Sequence, residues 1–84
     1  MEFIFNKKAE KQLDKLHSTI KKRIKNFVLE LETLDNPRDR GKALVGNLNG
    51  LWRYRVGDYR LICHIENEKL VILCLEITHR SKAY

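Results

Sequence analysis

The sequence predicts an α+β fold in two layers, with an N-terminal strand and a helical hairpin packed on a mainly antiparallel four-stranded sheet. Two observations carry this prediction. Apolar residues recur at helical spacing in the first half of the chain, and strand-like runs of apolar and alternating residues dominate the second half. Since both kinds of apolar stripe need a covering surface, one sheet covered on one face by two helices is the economical arrangement.

The N-terminal part is expected to form a short strand and two helices. Phe3 and Phe5 alternate with polar neighbours, which favours a strand, and Asn6 is a suitable N-cap for the helix that follows. Ser18 or Thr19 is expected to cap the second helix, which stops at Pro37 because the residue before a proline disfavours the α region. Its apolar stripe comprises Ile20, Ile24, Phe27, Val28, Leu31 and Leu34.

The second half is predicted to begin with a loop and to continue as a three-stranded meander. Arg38–Leu51 is polar and carries three of the four glycines, so we predict a loop there with a short turn of helix at Lys42–Val45. The expected strands are Trp52–Val56, Tyr59–Glu66 and Lys69–Thr78, separated by two-residue loops at Gly57–Asp58 and Asn67–Glu68.

The composition indicates that residues 1–84 form one basic domain. Lys and Arg number 17 against 11 Asp and Glu, a net charge of +6 that favours a nucleic-acid partner, although an acidic protein would fit the same excess. Cys63 and Cys74 lie in apolar runs and are expected to be reduced core thiols of a cytoplasmic protein. No signal peptide is apparent, and the longest apolar run, Leu70–Leu75, is too short to cross a membrane.

Three arginines are predicted to share the sheet face that points away from the helices. Pairing across the first hairpin places Arg55 opposite Arg60 and Arg53 opposite Ile62. Like charges directly opposite one another destabilise a sheet, so this arrangement favours a bound phosphate over the alternative of a solvated face. Pairing across the second hairpin is expected to add to this face Val71, Leu73, Leu75, Ile77 and His79.

Further candidate residues lie outside the first hairpin. Arg80 can hold phosphate, His79 brings a side chain of a type that can exchange protons, and Tyr84 can stack on a base or accept a proton, although a frayed basic tail is the alternative. Residues expected to contribute to RNA binding are Lys42, His64 and Lys82. The sequence shows no paired acidic metal site and no phosphate-binding glycine loop, so we expect neither a metal nor a small-molecule cofactor.

With these residues in place, nearly the whole chain resembles the RelE branch of the RelE/ParE superfamily of type II toxins. The resemblance is carried by the run Gly50–Arg60 and by His79–Arg80 followed by a tyrosine. It implies a RelE-like fold and a metal-independent endoribonuclease that enters the ribosomal A site and cuts mRNA there. In that reaction the ribose 2′-OH attacks the adjacent phosphate. A cognate, RelB-like antitoxin that neutralises the toxin is also implied.

The resemblance assigns roles to individual residues. The phosphate-holding positions of the middle strands match Arg53, Arg55 and Arg60. Arg80 matches the late arginine, Tyr84 the tyrosine that stacks or acts as a base, and His79 a position where several relatives carry a catalytic histidine. Two alternatives remain open: an inhibitor of DNA gyrase, as in the ParE branch, and a non-catalytic RNA-binding module. The arginine-rich hairpin favours the endoribonuclease, because a gyrase inhibitor has no need of a phosphate site.

Overall fold

The structure, a computed structural model, describes residues 1–82 and confirms the two-layer α+β architecture. The elements are β1 (Glu2–Phe5), α1 (Lys7–Asp14), α2 (Ser18–Thr33), β2 (Lys42–Ala43), β3 (Trp52–Val56), β4 (Tyr59–Glu66) and β5 (Val71–His79). Short 3₁₀ helices occupy Pro37–Asp39, Gly46–Leu48 and Arg80–Lys82. The strands form one sheet in the order β1-β5-β4-β3-β2, with β1 parallel to β5 and the other neighbours antiparallel.

The sheet contains five strands, one more than predicted, because β2 forms in the segment that was expected to be a loop. The predicted turn of helix from Lys42 is wrong, since Lys42 pairs with Arg53. Gly41 allows the close approach: its φ is +82°, and a Cβ there would lie 2.3 Å from the carbonyl oxygen of Arg53. The indole Nε1 of Trp52 also donates to the carbonyl of Arg40 at 2.7 Å. These contacts with β3 hold β2 in place.

The two helices begin at side-chain caps. The predicted cap of α1 is confirmed, since Asn6 Oδ1 accepts the N–H of Ala9 at 2.8 Å. The cap of α2 is His17 rather than Ser18 or Thr19, because the His17 ring accepts the N–H of Thr19 at 3.3 Å. Neither helix in the described part of the chain has the length and apolar character required to cross a bilayer.

The core lies between the helices and one face of the sheet, here called the helix face. Buried residues from both layers meet there, including Ala9, Leu13, Ile24, Val28, Leu31, Leu61, Ile72 and Ile77. Tyr54 is fully buried, and its hydroxyl donates to the carbonyl of Pro37 at 2.7 Å. Cys63 on β4 and Cys74 on β5 are neighbours in the sheet, and both are buried thiols without a disulfide bond. Their expected place in the core is confirmed.

The opposite face, here called the arginine face, carries Arg53, Arg55 and Arg60. The pairing of β3 with β4 confirms the predicted register, in which Arg55 stands opposite Arg60 and Arg53 opposite Ile62. Gly57 opens the two-residue loop between these strands with a φ of +58°, the sign required at the first central position of a type II′ turn. The hairpin loop therefore fixes which side chains share this face.

The pairing of β4 with β5 differs from the prediction. The loop spans four residues, Asn67–Leu70, instead of two, and a bulge leaves Leu75 without a partner. Because side chains alternate along a strand, every residue beyond the bulge changes face. The residues affected are Glu76, Ile77, Thr78 and His79. Ile77 and His79 were expected beside Arg60; this is wrong, and both lie on the helix face.

Two buried groups make the fold sensitive to alkaline pH. Burial raises the pKa of Tyr54 above its ordinary value of 10.0. Burial, followed by the neighbouring Cys74 thiol, raises the pKa of Cys63 above its ordinary value of 9.0. In the unfolded chain both groups ionise near their ordinary values, whereas in the folded protein they stay neutral. Their contribution to stability is therefore complete below about pH 9 and is lost as the pH rises further.

We expect the free energy of unfolding to fall by about 2–4 kcal/mol between about pH 9 and pH 11, since each group contributes about 1.4 kcal/mol per pH unit above its unfolded pKa. Urea denaturation with a reductant present measures this slope. Tyr54→Phe should remove the part of the slope that begins near pH 10. A slope unchanged by this substitution would show that ionisation of Tyr54 plays no part.

Candidate functional site

The centre of the candidate site is a pair of arginines that face each other across β3 and β4. Arg55 is exposed, whereas Arg60 is only 8% exposed although its guanidinium is charged. Within residues 1–82 neither side chain forms an ion pair with a carboxylate. The sheet thus holds two like charges in register, an arrangement that destabilises the fold unless an anion lies between them.

The surroundings of Arg60 supply little compensation for its buried charge. Its Nη1 donates one long hydrogen bond, 3.5 Å, to the carbonyl oxygen of Asp58. The cross-strand partner of Arg60 is Thr78, whose buried hydroxyl has no hydrogen-bond partner in the described part of the protein. A buried charge without an acidic partner costs several kcal/mol, so an anion bound beside Arg60 would stabilise the folded domain.

Arg80 joins the arginine pair at the end of the sheet. The 3₁₀ turn that follows β5 places the backbone N–H of Arg80 2.7 Å from the carbonyl oxygen of Asp58, the same oxygen that Arg60 contacts. The Nε of Arg80 lies 3.6 Å from Asp58 Oδ1 in an exposed ion pair. The hairpin loop therefore gathers Arg55, Arg60 and Arg80 at one end of the arginine face.

A second group of cations lies one step further along β3. Lys42 and Arg53 stand opposite each other on β2 and β3, next to the row formed by Arg55 and Arg60. They border an open cavity of about 400 Å³ lined by Phe27, Arg40, Gly41, Lys42, Arg53 and Arg55. Arg40 is the cation in this lining that has an acidic partner, Glu30 at 2.9 Å. The positive potential thus extends from the arginine pair to the sheet edge.

His79 is separated from the arginine face by the bulge in β5. It pairs with Tyr59, and the two rings meet edge to face at 5.2 Å between centroids. Its Nδ1 accepts the backbone N–H of Ser81 at 3.2 Å and lies 2.9 Å from the Ser81 hydroxyl. His79 thus supports the 3₁₀ turn that carries Arg80.

The remaining predicted residues are distributed around the site. His64 lies on the arginine face, two alternate positions along β4 from Arg60, and its Nε2 is 3.7 Å from Glu66. Lys82 ends the 3₁₀ turn, and Tyr84 lies outside the described residues. In residues 1–82 no group of three or more His, Cys, Asp and Glu side chains is placed to hold a metal ion.

Two residues of the site were not predicted. Thr78 enters the arginine face only because of the bulge at Leu75, for which the sequence contains no signal. Asp58 was predicted only as part of the hairpin loop, whereas its carbonyl oxygen joins Arg60 to the backbone of Arg80. The Gly57–Asp58 turn indicates where this carbonyl lies, but it does not indicate that the backbone N–H of Arg80 will donate to it.

Comparison with known proteins finds one matching family and several similar solved structures. The family described as the ParE toxin of the type II toxin–antitoxin system parDE matches residues 3–84. The RelBE2 toxin–antitoxin complex of Mycobacterium tuberculosis has a chain that is 30% identical, with a TM-score of 0.83 over 93% of this chain and 95% of that one. No curated protein matches the sequence.

Two archaeal complexes are also similar. The RelE–RelB complex of Pyrococcus horikoshii contains a chain that is 29% identical, with a TM-score of 0.75 over 98% of this chain and 97% of that one. The RelB–RelE antitoxin–toxin complex of Methanococcus jannaschii has a chain that is 26% identical, with a TM-score of 0.73 over 96% and 94%. In each case the match spans nearly the whole length of both chains.

Proposed function

This chain belongs to the RelE/ParE superfamily of type II toxins, in its RelE-like branch, and from that premise we propose that it is an endoribonuclease that cleaves mRNA in the ribosomal A site. The observation that carries the proposal is the buried Arg60, which faces Arg55 and lacks an acidic partner in residues 1–82. A phosphodiester would supply the anion that this pair requires. Cleavage of messages would inhibit translation.

The proposed reaction needs charge stabilisation more than it needs a metal. The 2′-oxygen of a ribose attacks the adjacent phosphorus and loses its proton, while the bond to the 5′-oxygen breaks and that oxygen gains a proton. The products are a 2′,3′-cyclic phosphate and a 5′-hydroxyl. Arg60 and Arg55 would hold the non-bridging oxygens, on which negative charge increases in the transition state, and preformed donors of this kind lower such barriers most.

The other site residues receive supporting roles in this proposal. Arg80, held near Asp58, would bind the scissile phosphate from the end of the sheet. Arg53 would contact the neighbouring backbone phosphates. His79 is proposed as a positioning residue for the turn that carries Arg80, because its ring nitrogen binds Ser81. Tyr84 keeps the role given by the resemblance, stacking on a base or accepting the 2′-proton.

The proposed RNA contacts extend beyond the reacting phosphate. Lys42 lies opposite Arg53, and His64 is exposed on the arginine face. Both residues would bind the message on either side of the cleaved phosphate, and Lys82 would bind it from the 3₁₀ turn after β5. The ribosome would align the 2′-oxygen with the phosphate, and this positioning would offset the lack of a strong general base in the site. We therefore place its action in the cytoplasm, where mRNA is translated.

We also propose that a RelB-like antitoxin neutralises this toxin. Three similar structures are described as toxin–antitoxin or RelE–RelB complexes, and the net charge of +6 would attract an acidic partner. DNA gyrase inhibition is the second candidate function, because the matching family is named for the ParE toxin. A gyrase inhibitor would not need Arg60 buried without a counterion, and this favours the endoribonuclease.

Primer extension on a message in a purified translation system tests the proposal. We expect cuts inside the A-site codon that require ribosomes, with slow or no cleavage of the same RNA alone. A gyrase supercoiling assay with the same preparation provides the comparison. Inhibited supercoiling together with an intact message would reject the endoribonuclease in favour of the second candidate.

A further inference from the structure

A second cavity, which the proposed reaction does not use, lies at the edge of the arginine face. It has a volume of about 530 Å³ and is lined by Lys42, Ala43, Leu44, Val45, Asn47, Leu48 and Arg53. We call it the β2 pocket. It shares Lys42 and Arg53 with the cationic cavity beside Arg55, so the two cavities adjoin at this pair of cations. The β2 pocket therefore lies next to the cavity that Arg55 lines.

The wall of the β2 pocket is apolar and open. Val45 is 83% exposed, whereas Leu44 beside it is buried. In the described part of the chain the other exposed large apolar side chains are Ile4, Leu29 and Leu70, and none of them lines this pocket. Val45 thus places an exposed apolar side chain beside two cations, Lys42 and Arg53, and this combination suits a ligand with both an apolar surface and negative charge.

The loop that forms this wall is held in place by its own backbone. The N–H of Leu44 donates to the carbonyl of Leu51 at 3.0 Å, which closes the base of the loop above the pairing of β2 with β3. Inside the loop, Asn49 N–H donates to Gly46 at 3.1 Å and Leu51 N–H to Leu48 at 3.1 Å. The wall is therefore preformed, which reduces the entropy cost of binding a ligand.

From this geometry we propose that the β2 pocket holds the nucleobase of a nucleotide next to the cleaved bond, with the phosphate of that nucleotide on Lys42 and Arg53. The proposal rests on the proposed RNA cleavage. A base has an apolar face that packs on aliphatic side chains and an edge that needs hydrogen bonds, and unpaired RNA presents both. The lining of the pocket combines apolar side chains with the two cations Lys42 and Arg53.

Asn47 gives the pocket a means of choosing the base. It is exposed, in the 3₁₀ helix Gly46–Leu48, and its carboxamide combines a donor with an acceptor. A carboxamide pairs with the N6 and N7 atoms of adenine in two hydrogen bonds, whereas a pyrimidine lacks this edge. We therefore expect a preference for adenine at this nucleotide of about tenfold.

The test uses the variants Asn47→Ala and Val45→Ser, with Leu29→Ser as the matched control because Leu29 is 62% exposed on α2. The first readout is cleavage of ribosome-bound messages with a randomised A-site codon and flanking bases. We expect Asn47→Ala to abolish the adenine preference and Val45→Ser to raise KM about three- to tenfold, with Leu29→Ser like the wild type.

The second readout measures RNA binding without cleavage, so it tests the pocket independently of catalysis. Fluorescence anisotropy compares binding of short single-stranded RNA with adenine, uracil or an abasic sugar at the flanking position. Equal binding of the three RNAs would overturn the pocket proposal, even where the wild type cuts messages normally. A wild type that discriminates bases but cuts no message would reject the nuclease alone. If Val45→Ser weakens only binding of the antitoxin, the pocket is a protein interface and the proposal fails.

Discussion

Replacing Arg60 with methionine is expected to lower cleavage of ribosome-bound mRNA about 100- to 1,000-fold while making the folded domain more stable. The loss follows because Arg60 would be a preformed donor to the charge that develops on the phosphate, and removal of one such donor has effects of this size in other enzymes. The folded domain is expected to become more stable because Arg60 is 8% exposed and has no acidic partner in residues 1–82. An apolar side chain of similar length removes that buried charge.

The increase in the free energy of unfolding should be about 1–2 kcal/mol by urea denaturation. Arg60→Lys is the informative companion, since it keeps the charge but loses the forked donors, and it should recover little activity. Lys25→Ala removes a cation from the exposed side of α2 and serves as the control. Unchanged cleavage by Arg60→Met would show that Arg60 takes no part in the reaction, and a clear loss of stability would show that the buried Arg60 supports the fold.

The site was predictable from the sequence where a local signal fixed the geometry. Gly57–Asp58 determines a two-residue hairpin, and from that loop the pairing of Arg55 with Arg60 and of Arg53 with Ile62 follows by counting. Asn6 likewise predicts where α1 begins. In these cases each residue depends on neighbours close in the chain, so the physics of a short segment is sufficient.

The prediction failed where distant segments decide the structure. β2 forms because Gly41 lets the chain approach Arg53 and Trp52, which are more than ten residues away. The bulge at Leu75 moves His79 to the helix face, and nothing in the apolar run around it marks the extra residue. A bulge is a compromise between the registers at the two ends of a strand pair, so it appears only once both ends are packed.

The burial of Arg60 illustrates the same limit at the candidate site. The alternation of side chains along β4 places Arg60 on a sheet face that was expected to be open to solvent. In the structure Arg60 is nevertheless only 8% exposed, and its partner on β5 is Thr78. The predicted register of Arg53, Arg55 and Arg60 is confirmed, but the prediction treated these three residues as equivalent. The structure distinguishes them by burial: Arg55 is exposed, Arg53 is half-buried and Arg60 is buried.

Arg55→Glu should inactivate the toxin as completely as removal of Arg60, because it would neutralise Arg60 instead of removing it. Arg55 stands directly opposite Arg60, so a glutamate there would form a cross-strand ion pair with it and occupy the guanidinium that a phosphate would use. We expect cleavage to fall about 100- to 1,000-fold, since the transition-state donor is now neutralised in place. Arg55→Ala should lose only about tenfold, because it leaves Arg60 free and because Arg55 is an exposed donor, which contributes less than the buried Arg60.

The difference between these two substitutions tests whether Arg55 and Arg60 act together on one anion. Lys25→Glu changes the net charge by the same amount at an exposed position of α2 and controls for attraction to RNA at long range. If Arg55→Glu and Lys25→Glu reduced cleavage equally, the arginine face would serve only to attract the message. Under the present proposal Arg55→Glu alone loses activity at every salt concentration, because occupation of Arg60 by a neighbouring carboxylate is a local effect that screening does little to relieve.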